Sequence, residues 1–176
     1  MRAAASPQEN GMTKIYLFDW GDTLMVDIPG QAGKMCDWPE VEAVDGAAEA
    51  LAHLYREHTI YVATNAVDSD ENDVKAALER VGLARFLTGV FCRANVGIGK
   101  GSPEYYRAIV DALGIEAHEA TMVGDSYEND IAPALQAGLN TIWLNAAGGD
   151  ENLSGRCAAV AAAQPARRGA EFIRAD

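Results

Sequence analysis

The sequence contains no apolar run approaching the roughly 20 residues that a membrane-spanning helix requires, so no helical span is expected. Positive charge is also scarce: 14 Lys and Arg face 26 Asp and Glu, a net charge of −12. That balance argues against a general nucleic-acid binder, which would carry a basic stripe, and against docking on an anionic membrane. A local basic pocket for one phosphate remains compatible with it. Cysteine is sparse, with Cys36, Cys92 and Cys157 at no metal-type spacing. An odd, scattered set reads as reduced thiols in a cytoplasmic protein. Residues 1–12 lack a basic start followed by an apolar core, so they are read as a flexible leader and not as a secretory signal.

Half of the 176 residues are apolar, enough to bury one good core, and residues 13–176 are read as a single domain. The pattern alternates short apolar runs with segments of helical spacing. Strands are expected at about 14–19, 59–63, 89–93, 120–123 and 141–144. Helices are expected at about 46–57, from a cap at Ser69 or Asp70 to Gly82, from the Ser102-Pro103 start to Gly114, at 129–137, and over an Ala-rich stretch at 155–163. A short apolar stretch at 172–173 ends the chain. This alternation predicts an α/β fold, a doubly wound parallel sheet in three αβα layers.

The chain is organised around Ile15-Tyr-Leu-Phe-Asp19-Trp-Gly21-Asp22-Thr-Leu24. Four apolar residues running into Asp19 suit a central parallel strand whose carboxyl end faces a ligand crevice. Alone, Asp19 could equally be a helix cap. Two more expected strands also end in polar residues, at Thr64-Asn65 and Gly124-Asp125, and Lys100 lies between them in Gly-Ile-Gly-Lys-Gly-Ser-Pro. One parallel sheet brings these ends to one edge. A carboxylate nucleophile, a hydroxyl, a lysine and further carboxylates around one crevice suit phosphoryl transfer, in which cations must offset anion–anion repulsion.

The order of these motifs resembles the haloacid dehalogenase-like hydrolase superfamily over about residues 14–146. The resemblance implies a Rossmann-like fold with Asp19 as nucleophile, Thr64 and the Asn65 N–H holding phosphoryl oxygens, and Lys100 stabilising nucleophile and phosphate. It implies Mg²⁺ bound by Asp19, the Gly21 carbonyl and Asp125, with Asp130 as a second acid beside it. The gaps between motifs leave no room for a separate cap domain, only a small flap at about 25–40, in which Trp38 is the candidate to touch substrate. Asp130 could instead be only a first-turn acid favoured by the helix dipole.

Two positions depart from the family pattern. Gly21 stands where the family's phosphatases carry a second Asp that protonates the leaving group and activates water. Gly101 follows Lys100 where proline is common. Asp22, one residue beyond Gly21, reads as a turn residue, with a substitute acid as the alternative. The expected activity is hydrolysis of a phosphate ester or anhydride, weakened or specialised, on a small phosphorylated substrate or an exposed phosphate of a larger molecule. The rival readings are a carbon–halogen or carbon–phosphorus hydrolase, and a non-catalytic module that binds Mg²⁺ and phosphate.

Overall fold

The computed structural model describes residues 14–145 and 157–161. The expected leader at 1–12 and the apolar stretch at 172–173 lie outside them. Six strands form one sheet: β1 (Ile15–Phe18), β2 (Thr59–Ala63), β3 (Gly89–Phe91), β4 (Ala120–Gly124), β5 (Asn140–Asn145) and β6 (Cys157–Ala161). All pairings are parallel, in the order β3-β2-β1-β4-β5-β6. The helices are α1 (Ala47–Leu54), α2 (Glu71–Arg80), α3 (Arg93–Val96), α4 (Pro103–Leu113) and α5 (Ala132–Ala137).

Side chains on successive strand residues point to opposite faces, and the two cores follow that rule. Tyr16 and Phe18 of β1 pack on one face with Leu51 of α1 and Leu78 of α2. Leu17 packs on the other with Tyr106 and Ile109 of α4 and Ala134 of α5. Both faces being covered explains why β1 reads as an unbroken apolar run. The expected three-layer, doubly wound architecture is therefore present.

Chain direction across the sheet reverses at β1. From there the chain runs outward through β2 and β3, then returns to β4 on the other side of β1. The crevice beyond the carboxyl ends of β1 and β4 is the switch point at which such sheets bind ligands. Asp19 follows β1 there, its N–H donating to Val123 O at 2.8 Å, and Asp125 follows β4.

Of the Ala-rich segment expected as a helix at 155–163, the described residues, Cys157–Ala161, are instead strand β6, paired with β5 from Thr141↔Cys157 to Asn145↔Ala161. A short helix is marginal by itself, whereas the edge of β5 offers a ready row of backbone donors and acceptors. The helix expected at 129–137 is also divided. A π-helical turn, Tyr127–Ile131, precedes α5 and carries Asp130 inward.

Between β1 and α1, residues 25–46 form a packed flap. Val26 N–H donates to Glu42 O at 2.9 Å and Val44 N–H to Leu24 O at 3.0 Å, which closes the base of the flap. Met25, Met35 and Trp38 are buried in the core shared with α1 and α2. The Arg80 guanidinium, at the end of α2, donates to the carbonyls of Cys36, Trp38 and Pro39 at 3.0, 2.6 and 3.2 Å. At the other end of α2, Lys34 pairs with Asp73 at 2.7 Å. The acidic run before α2 serves the helix start: Asp70 caps it and forms a reciprocal capping box with Asp73.

Candidate active site

A cleft of about 380 Å³ opens at the switch point, lined by Asp19, Thr64, Asn65 and Asp125 from the sheet edge and by Asp27, Met35 and Trp38 from the flap. Lys100 comes from the loop before α4 and reaches beneath the cleft. Its side chain is 2 % exposed, and its ammonium pairs with Asp19 Oδ1 and, at 2.6 Å, with Asp130 Oδ1. It also donates to Ala63 O at 2.9 Å. Burial pulls the Lys100 pKa down, yet the charges of Asp19 and Asp130 more than reverse this and the net shift is upward. The lysine is therefore a fixed cation under the nucleophile candidate.

The six residues expected to share a site with Lys100 lie together: Asp19, Gly21, Thr64, Asn65 and Asp125 line the cleft, and Asp130 pairs with Lys100. Asp19, Asp125 and Asp130 bring carboxylate oxygens within 4.8 Å of one another. Asp130 Oδ1 lies 2.6 Å from the Lys100 ammonium, its one cationic partner among the described residues. An all-oxygen set of three converging carboxylates fits a hard divalent cation. Burial, followed by the charge of Asp19, pushes the Asp125 carboxyl up to about 6. Burial also raises that of Asp130, outweighing the pull of Lys100.

Asp130 thus faces the site and not solvent. Its second oxygen accepts the Ser126 N–H at 2.9 Å. Gly124 makes room for it, since a Cβ there would lie 2.2 Å from Asp130 Oδ2. Thr64 is buried, and its hydroxyl oxygen accepts the Ala66 N–H at 3.1 Å, leaving the hydroxyl hydrogen free to donate into the cleft. Asn65 does more than its backbone role suggested: its side-chain oxygen accepts the Lys100 N–H at 3.0 Å and ties two motif loops together.

Several supporting residues were not picked out from the sequence. Thr23 is buried and its hydroxyl donates to Asp19 Oδ2 at 3.2 Å, steadying the carboxylate. The Trp143 indole donates to Asp125 O at 2.9 Å, and Tyr106 OH donates to Asn129 O at 2.8 Å. A Thr four residues beyond an Asp was a readable signal. The two aromatic anchors were not readable, because their partners are distant backbone carbonyls.

Trp38 lines the cleft but is 7 % exposed, with its indole N–H spent on Gly33 O at 3.1 Å. Gly21 has ordinary backbone, and a Cβ there would meet only Asp27 Cβ, at 3.9 Å. Asp22 is different: its φ is +55°, and its Oδ1 accepts the Asp27 N–H at 2.9 Å. It is therefore a turn residue that braces the flap.

Residues 31–138 match the haloacid dehalogenase-like hydrolase family. Phosphoserine phosphatase of Thermus thermophilus is 33 % identical over 108 residues, 61 % of this chain and 40 % of that enzyme. Phosphoglycolate phosphatase of Rhodospirillum rubrum is 39 % identical over 75 residues, 43 % of this chain and 31 % of that enzyme. An uncharacterized protein from Listeria monocytogenes serotype 4b superposes with a TM-score of 0.71 at 25 % identity, covering 84 % of this chain and 90 % of that one. The match spans about two fifths of the length of the first curated relatives.

Proposed function

The chain belongs to the haloacid dehalogenase-like hydrolases, and from that premise we propose that it hydrolyses phosphate esters or anhydrides through an aspartyl phosphate on Asp19, with Mg²⁺ as cofactor. The observation that carries this reading is one buried ammonium, Lys100, paired with Asp130 and with Asp19, which lines the cleft. That arrangement suits a carboxylate that must approach a phosphate, because the charge it meets is already offset. Relatives named as phosphatases support the phosphoryl reading.

In this mechanism the Asp19 carboxylate attacks phosphorus, steadied by Thr23 and Lys100. The Thr64 hydroxyl and the Asn65 N–H hold phosphoryl oxygens, and Lys100 spreads charge from the transferring group. Asp19, the Gly21 carbonyl, Asp125 and Asp130 would hold Mg²⁺. When bound, the ion supplies Lewis-acid neutralisation of nucleophile and phosphate. The substrate is a small phosphorylated molecule or an exposed phosphate on a larger one, with residues 13–176 acting as one domain and the flap standing where relatives carry a cap. A cytoplasmic location belongs to the same reading, supported by the free thiols of Cys36 and Cys92.

The test is turnover of acyl, aryl and alkyl phosphates with and without Mg²⁺, in wild type and Asp19→Asn. Mg²⁺-dependent phosphate release that Asp19→Asn abolishes is expected. Binding of Mg²⁺ and phosphate with no release on any ester would instead favour the non-catalytic module. Carbon–halogen cleavage has weaker support, because metal-independent dehalogenation has no use for three converging carboxylates.

A further inference from the structure

We propose that Asp27, from the flap, is the acid and base of this site, standing in for the side chain that Gly21 lacks; the proposal rests on the phosphatase reading above. Three observations converge on it. A Cβ built on Gly21 has one neighbour, Asp27 Cβ at 3.9 Å, so the flap aspartate occupies the flank where a residue-21 side chain would begin. Asp27 lines the same cleft as Asp19, Thr64 and Asp125. Its backbone is held there: its N–H donates to Asp22 Oδ1 at 2.9 Å, and Gly21 bridges to Met25 two residues earlier.

Asp22 is excluded from the same role by its own geometry. It lines the cleft too, but with its φ at +55° its Oδ1 is committed to the Asp27 N–H, and it is not a neighbour of a Cβ built on Gly21. The acid displaced by one residue has become the brace for an acid displaced by six. Among the described residues lining the cleft, Asp19 and Asp125 belong to the nucleophile and metal set and Asp68 follows the β2 loop. Asp27 alone borders the vacant flank of Gly21.

The proton balance closes without a further reactant. Asp19 forms its bond to phosphorus while the bond from phosphorus to the leaving oxygen breaks. The Asp27 carboxylic acid gives its proton to that oxygen, which departs as an alcohol. The resulting Asp27 carboxylate then takes a proton from a water molecule as that water's oxygen attacks the aspartyl phosphate. The bond from phosphorus to Asp19 breaks, Asp19 recovers its electron pair, and Asp27 is again protonated.

The experiment compares kcat/KM for p-nitrophenyl phosphate and for glycerol 2-phosphate, with Mg²⁺ present, in wild type, Asp27→Asn, Asp22→Asn and the double variant Gly21→Asp/Asp27→Asn. Because kcat/KM reports transfer to Asp19, loss of an acid should slow the alkyl ester by about 10²–10⁴-fold and the aryl ester, whose anion leaves unaided, far less. Asp27→Asn is isosteric and keeps the backbone contact, so its melting temperature should match wild type. Asp22→Asn keeps an acceptor for the Asp27 N–H and should preserve the alkyl-to-aryl ratio. Gly21→Asp should restore alkyl turnover in the double variant. An unchanged alkyl-to-aryl ratio in Asp27→Asn overturns the proposal, as does a selective alkyl loss in Asp22→Asn. Wild type that cleaves neither ester overturns the phosphatase reading itself, an outcome distinct from both.

Discussion

Replacing Lys100 with methionine tests the electrostatic core of the site without reference to any substrate. Methionine keeps most of the aliphatic length and removes the charge. It leaves Asp130 Oδ1, now 2.6 Å from nothing cationic, together with Asp19 and the carbonyl of Ala63. The Asp130 side chain is 1 % exposed and that of Asp19 is 13 % exposed, so water cannot fully replace the ammonium. Removing one partner of a buried pair typically costs about 3–5 kcal/mol, because the remaining charge stays desolvated. For a domain of this size each kcal/mol lowers Tm by about 2–4 °C, so a fall of about 6–20 °C is expected at pH 7 in EDTA.

Two arms make the expectation specific. The bereft carboxylates bind protons more readily in the folded variant than in the unfolded chain, so acidification favours the fold and the deficit should shrink between pH 7 and pH 5. Lys34→Met, which breaks a pair with Asp73 that solvent still reaches on both sides, should move Tm far less. Thermal melts by circular dichroism, with urea titration as a cross-check, measure both. A Lys100→Met protein melting within about 2 °C of wild type at pH 7, or one whose deficit grows toward pH 5, would refute the buried-cation account.

The pH response of wild type has a worked sign. Asp125 is raised to about 6, and Asp130 is raised as well, so the folded state holds protons that the unfolded state releases near 4. Their contribution to metal-free stability is present at low pH and fades as pH rises to about 6, while apparent Mg²⁺ affinity rises over the same window. Asp125→Asn should flatten both trends in calorimetric titrations and melts; unchanged Mg²⁺ affinity in that variant would remove Asp125 from the metal set. Gly124→Ala should destabilise by about 1–3 kcal/mol, since its Cβ would strike the buried Asp130 carboxylate at 2.2 Å. Urea denaturation checks this, and a variant as stable as wild type would mean that the Asp130 side chain is free to move.

Legibility in the sequence followed the range of the interactions involved. Ser102-Pro103 and Gly114 bracket α4 as read, because N1 proline and a left-handed C-cap glycine are local signals. The motif residues were readable because a parallel sheet gathers strand ends regardless of what lies between them. Strand β6 was not, because alanine favours helix in isolation and only the neighbouring edge of β5 decides otherwise. The π turn at Tyr127–Ile131 was hidden for a similar reason. Its extra residue per turn is offset by the Asp130 contacts with Ser126 and Lys100, which no helical period announces. The docking of the flap by Arg80 was equally unreadable, since one guanidinium 41 to 44 residues away serves three carbonyls.

The two departures from the family pattern have opposite physical standing. Gly101 is compelled: its φ is +109°, where proline cannot go, and a Cβ would come within 2.9 Å of Asn129 Oδ1. The Asn129 backbone is held through its carbonyl by Tyr106 OH, and its side-chain amide donates to Ser126 Oγ at 3.1 Å, so the glycine follows from how α4 meets the loop after β4. Gly21 is not compelled. Its backbone suits any L-residue, and the only atom near an added Cβ sits at ordinary contact distance. Neither strain nor crowding requires glycine at this position. A carboxylate at residue 21 would share its flank with Asp27, near Asp19, Asp125 and Asp130, adding a further negative charge where like charges already raise the Asp125 pKa. Like charges at close range are destabilising unless one takes up a proton. A site that draws its acid from the flap is better served by glycine at 21 than by a second aspartate, and this makes the flap part of the catalytic unit.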